Sequence, residues 1–135
     1  MADLSVTAAD VRPLHGAVIR RYTAGGSVDM GAVVYVDSNG AVQEADGSAI
    51  GTAKPTVGIA VATPDGGTSA SSGESVDVVV HGPVAGFSSM TPGTIGFVSD
   101  TAGAIADSAG TKAFIVGYAE SASVFFVRPQ VVDLT

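Results

Sequence analysis

His15 and His81 are the chain's two imidazoles, and with no cysteine anywhere they are its only nitrogen or sulfur side chains of the kind that holds zinc. A zinc site takes three or four protein ligands, so even a meeting of the two would need carboxylates that the sequence does not mark. Satisfied or exposed histidines account for both. Asp37 and Asn39 in DSNGAVQE echo a calcium loop, but the remaining ligand spacing and the terminal Glu of an EF-hand are missing, and a hairpin turn explains every residue. Ser, His and Asp all occur without a G-x-S-x-G elbow or any other nucleophile signature. GPVAGF and TAGG read as glycine turns, and neither joins a strand to a helix as a phosphate loop must. No catalytic group, metal site or cofactor site emerges, and the chain reads as a non-enzyme.

Arg20-Arg21 is more informative. Neighbouring strand residues face opposite ways, so within AVIRRYTA one guanidinium points inward unless the strand lies at an edge or an interface. Three of the six cations, Arg12, Arg20 and Arg21, fall in the first 21 residues of a chain of net charge −7. Arginine is the residue suited to bidentate, partly buried ion pairs at interfaces. These three are the candidate partner-binding residues.

The elements that must carry them are strands. A chain of 135 residues with 18 Gly, no Trp and short β-branched runs between Gly, Asp and Ser clusters is one all-β domain. No apolar run spans a bilayer, and MADLSVTAAD lacks the basic and apolar regions of a secretory signal, so a soluble protein made in the cytoplasm is expected. Without cysteine the fold relies on its core or on neighbouring subunits. The acidic balance argues against nucleic acid, whose phosphates require a basic footprint.

Ala17–Ala24, Ala32–Asp37, Ala41–Glu44, Val57–Ala62 and Val76–His81 read as strands. Asn39-Gly40 is a strong hairpin signal, read as a two-residue turn with positive φ. TPDGGTSASSGES, from Thr63 to Ser75, has the composition of a flexible surface loop without an apolar anchor. At Thr7–Asp10 a capping box is followed too closely by Pro13 for more than one helical turn.

GAVVYVDSNGAV at Gly31 returns in degraded form as GTIGFVSDTAGAI at Gly93. The offsets are 93 − 31 = 62, then 103 − 40 = 63 at the turn glycines, 116 − 57 = 59 at VGIA and VGYA, and 124 − 76 = 48 at the last strands. The drop falls where the long Gly/Ser loop gives way to ESAS, and loops absorb length changes that strands do not. The expected fold is a small β-barrel, β-tulip or sandwich of two pseudo-repeated halves, about 28–86 and 90–132, within one β domain at 16–135. Residues 1–15 form an extended N-terminal arm suited to crossing a neighbouring subunit.

ADLSVTAADV, then G-x-x-V-Y-V-D-x-x-G-x-V, VGIA and GESVDVVVHG, together resemble the small Ala/Gly/Val-rich capsid decoration (cement) proteins of tailed bacteriophages, over Ala2 to about Val131. The resemblance implies a barrel or tulip domain on the outer surface of the phage head, bound to the major capsid protein, often trimeric, without nucleic acid or membrane contact. Its place would be the virion. Two other classes fit less closely. A tail- or fibre-associated β module or adhesin would expose aromatics to host sugars, and the aromatics here sit mostly within strands. A biotinyl or lipoyl carrier would need a lysine at a hairpin tip, and Lys54 and Lys112 lack the usual flanking pattern.

Overall fold

Glycine and proline interrupt the apolar runs too often for a helix to extend, and the fold is almost wholly β. The computed structural model describes residues 3–52 and 55–131. Its strands are β1 (Ser5–Val6), β2 (Arg12–Pro13), β3 (Val18–Thr23), β4 (Val28–Asp29), β5 (Val33–Val36), β6 (Val42–Glu44), β7 (Thr56–Ala62), β8 (Ser69–Ala70), β9 (Ser75–Ala85), β10 (Phe87–Ser88), β11 (Ile95–Val98), β12 (Ile105–Ala106), β13 (Phe114–Ala119) and β14 (Val124–Val131). Among the described residues the only helices are 3-10 turns at Ala8–Asp10 and Ile50–Thr52.

One strongly curled, barrel-like sheet runs β12-β11-β13-β14-β9-β7-β5-β6. Read from its centre, the order on one side repeats that on the other, and the registers agree. Val34 pairs with Gly58 as Gly96 pairs with Gly117, and Val36 pairs with Val42 as Val98 pairs with Ile105. The repeated glycine is a matter of space. A Cβ would lie 1.9 Å from the Val79 carbonyl oxygen at Gly58 and 1.9 Å from that of Phe126 at Gly117, so only glycine lets the bulged strand approach its neighbour.

The same contacts correct the last offset. Ile59↔Val79 corresponds to Tyr118↔Phe126, which gives 126 − 79 = 47 rather than 48. Val78 therefore matches Phe125, not Phe126. Four consecutive apolar residues, Val124 to Val127, offer no alternation to fix the register, and a slip of one exchanges the two faces.

Correctly aligned, the halves show a compensating exchange in the core. Val34 and Val78 of the first half become Gly96 and Phe125 in the second, and all but the glycine are fully buried side chains. The Phe125 ring occupies the room left at Gly96, where a Cβ would come within 2.6 Å of it. Close packing makes such a pair interdependent.

β9 is longer than the sequence reading, because GPVA continues the strand instead of turning. Asp77–Val79 takes β3 on one edge and β7 on the other, and Val84–Ala85 takes β2 and β14 on opposite edges. Gly82, at φ +122°, lies between these parts, and a Cβ there would meet the Ala17 Cα at 2.7 Å. The arm is accordingly laid along its own domain. Asp3 bridges Ala106, β1 pairs with β10, and the Thr7 and Leu14 N–H groups donate to the Gly86 and Pro83 carbonyls at 3.0 Å each. In the other half Ala24 bridges Val42.

Two loops differ from expectation. The DSNG hairpin has three loop residues rather than two: the Gly40 N–H donates to the Asp37 carbonyl at 3.0 Å, and Gly40 at φ +80° is the left-handed residue, while Asn39 is not. Thr63–Ser75 is built into the fold. Its Ser69–Ala70 pairs with β4, Ala70 is fully buried, and the Met30 N–H donates to the Thr68 carbonyl at 2.9 Å. An alanine is a small anchor, invisible in a Gly/Ser-rich composition.

Gly96→Val and Phe125→Val are each expected to cost about 1–3 kcal/mol in urea unfolding, through overpacking and a cavity respectively. The double variant restores the first half's arrangement, so its cost should be less than the sum; simple additivity would refute the coupling. Replacing Thr68–Ser72 by two glycines should cost clearly more than the ~0.5 kcal/mol of an ordinary surface change, and a neutral result would show that the β4–β8 pair contributes nothing.

Candidate functional site

β3 carries Arg20 and Arg21 at the periphery, where it pairs with β9 alone among the described residues. Both arginines are exposed, so neither is turned into the core. Arg21 faces Asp77 across the ladder, its Nε donating to Oδ1 at 2.9 Å, and this hydrogen bond to the carboxylate raises the guanidinium pKa. Exposed pairs of this kind add little to stability. The Arg20 side chain has no partner among the described residues. Arg12 is placed apart: it pairs opposite Ala85 and Arg20 opposite Val78, seven residues along β9, or up to roughly 23 Å of strand. Among the described residues its side chain makes one hydrogen bond, a long one of 3.5 Å to the Asp10 carbonyl. The three candidates form no single patch.

Sequence reasoning missed a second surface. Cross-strand pairing aligns Ile95, Tyr118, Phe126 and Pro83 in a row over β11, β13, β14 and β9. The corresponding row of the first half is Val33, Ile59 and Val79, continuing to Ile19 on β3. Val33, Ile59 and Val79 are 0% exposed, whereas Ile95 is 48% and Tyr118 36% exposed and Phe126 is half-buried. One half covers this face within the chain; the other leaves it open. The only trace in the sequence is the crowding of aromatics into the second half.

The rings on this face are ordered. Tyr118 stacks on Phe126 with centroids 5.4 Å apart, and exposed His81 meets the Phe126 ring edge-on at 5.1 Å. Arg128 and Gln130 border the same face, although the β13–β14 register shifts between Val127 and Gln130. Their side chains have no partner among the described residues. With Ile95, Ile115 and Tyr118 they line a depression of about 280 Å³ that has no carboxylate of the described residues in its lining.

Among the described residues no group of three or more His, Asp or Glu is arranged to hold a metal. His15, in the turn after β2, and His81 are both exposed. In the supposed calcium loop, Asp37 Oδ1 accepts the Asn39 and Ala41 N–H groups at 2.9 and 3.1 Å, and Oδ2 accepts Gln43 Nε2 at 2.7 Å. Ser99 takes this place in the second half, its hydroxyl accepting the Thr101 N–H at 3.0 Å. Glu44 borders a second depression, of about 200 Å³, and accepts the Asp29 N–H at 2.9 Å. Lys112 lies in the turn before β13, and Lys54 falls outside the described residues. Comparison of the chain with protein-family models and with curated proteins gives no match.

The carboxylates determine how stability responds to acid. Hydrogen bonds hold Asp37 and Asp65 below the ordinary 3.8, led by Gln43 and by the Thr63 hydroxyl respectively. Burial opposes ionisation of Asp46, but bonds from Ser48 and Thr52 outweigh it and keep its pKa low too. Burial raises Glu44 above 4.5. A lowered pKa contributes stability that is present above the unfolded value and lost as pH falls through the folded one. Stability should therefore decline below about pH 4, with Glu44 protonation opposing the decline slightly. Asp37→Ala should be less stable at neutral pH and show a shallower acid limb in urea unfolding; an unchanged limb would exclude Asp37 as a contributor.

Proposed function

We propose that the chain is a capsid decoration (cement) protein of a tailed phage, bound to the major capsid protein on the outer surface of the head. The observation that carries this reading is the open Ile95–Tyr118–Phe126 face. It has the position and apolar character of a face that the first half buries, and a partner that covers it removes comparable apolar surface from water. The sequence resemblance supplies the kind of partner. A cement acts by mass action: it binds the assembled shell and not the disrupted one, so each copy stabilises the shell by its binding free energy. A lattice presents many equivalent sites, and a homo-oligomer, with a trimer favoured, gains avidity by engaging several at once. An acidic outward surface suits a virion protein that does not touch packaged DNA.

A second reading has one observation in its favour. Tyr118 stacked on Phe126 beside Arg128 and Gln130 is an arrangement on which a sugar ring can rest, as a tail- or fibre-associated module recognising a host surface would require. Binding partners separate the two readings.

Ile95→Asp combined with Tyr118→Asp should leave the β circular dichroism signal intact, since both side chains are already exposed. Its occupancy on expanded phage heads lacking their own decoration protein, read by sedimentation, should fall by at least roughly tenfold for about 1.4 kcal/mol lost. Undiminished occupancy by the folded variant would remove this face from the contact. Failure of the unaltered chain to bind heads, together with saturable binding to host-surface polysaccharide, would favour the second reading.

A further inference from the structure

We propose that the outer edge of β3 receives an extended, acidic segment of a partner protein, which joins the sheet as one more strand. The edge is open on geometric grounds. Ala24 turns its backbone toward β9, its N–H donating to the Glu74 carbonyl and its carbonyl accepting the Gly73 N–H, both at 2.8 Å. Strand backbone groups alternate in direction, so Tyr22 and Arg20 also face β9, while the N–H and C=O of Ile19 and Arg21 point away from it. Beyond Thr23 the outer side is closed by the Ala24–Val42 bridge. Upstream, no strand among the described residues pairs with it.

The side chains define what fits. Val18 and Ile19 are 51% and 46% exposed, an unusual amount of apolar surface for adjacent residues of one strand. Arg20 and Arg21 follow directly. A row of unpaired backbone groups invites any extended chain, and charge is a common means of restricting which one. A second copy of β3 laid antiparallel about Arg20, the register that pairs the open groups of Ile19 with those of Arg21, would set Arg20 against Arg20, which is unfavourable. Arg21 already shares Asp77, so the uncompensated charge is that of Arg20. The matching segment carries a carboxylate near Arg20 and apolar side chains beside Val18 and Ile19, with main-chain bonds to Ile19 and Arg21 supplying affinity. This inference stands whether or not the partner is a capsid, because it uses a different surface from the Ile95–Tyr118–Phe126 face.

The test uses the full chain, labelled for amide NMR, and two short peptides, one alternating Glu and Val and the other Lys and Val. The Glu peptide should shift the Ile19 and Arg21 amides, more strongly at low salt, and the Lys peptide should not. Ile19→Pro removes an outward N–H while leaving the ladder to β9 intact, as proline on an edge strand can, and should abolish the response. Arg20→Glu, which does not depend on proline being accommodated, should weaken binding of the Glu peptide by roughly tenfold and favour the Lys peptide. Equal response to both peptides, shifts confined to other residues, or undiminished binding by Arg20→Glu would overturn the proposal. So would a dimer in sedimentation that Ile19→Pro converts to monomer, since the occupant would then be a second copy.

Discussion

The edges of β9 must be satisfied along both of its parts, and the rest of the fold is arranged around that requirement. A buried strand cannot leave its N–H and C=O groups unpaired without a penalty comparable to a lost hydrogen bond. Here the pairing is divided: β3 and β7 serve Asp77–Val79, and β2 and β14 serve Val84–Ala85. Because β14 is among these neighbours, the two halves join through a shared sheet and not only through facing side chains. Because β2 and β3 are among them, the N-terminal segment is structural. The glycine at position 82 is what allows the crossing, since a side chain there would occupy the place of Ala17.

The repeat was legible in the sequence wherever glycine and turn residues marked it. Gly58 and Gly117 are fixed by backbone contact, and they mark the shared register of VGIA and VGYA. Legibility failed where the determinant was a long-range pairing. Nothing local distinguishes Ser69–Ala70 from a solvent-exposed linker, because what orders it is β4, some forty residues away in sequence. The one-residue error at β14 had a similar origin: its apolar run fits either register, and the choice is made by the Val84 and Pro83 partners on β9. Of the candidate site, the exposed position of Arg20 and Arg21 followed from the edge alternative. Their separation from Arg12 did not, since it depends on where each strand meets β9.

The two halves share topology but not surface. Exchange of Val34 and Val78 for Gly96 and Phe125 kept the core filled, whereas the change from Val33, Ile59 and Val79 to Ile95, Tyr118 and Phe126 enlarged side chains on a face that is open. Core volume is constrained by packing; an open face is not, and there larger rings add contact area. The asymmetry therefore separates positions held by folding from positions free to serve recognition.

The bridge from Asp3 to Ala106 spans 106 − 3 = 103 residues, and at Val84–Ala85 β9 holds β2 on one edge and β14 on the other. Closing this bridge requires residues far apart along the chain to meet. Such non-local closure slows folding, because the entropy of bringing distant residues together is lost before the contacts that reward it are made. Until β14 is in place, the edge of β9 that it will occupy stands bare, and the folding chain depends on its acidic charge, rather than on completed pairing, to keep such edges from meeting those of its neighbours.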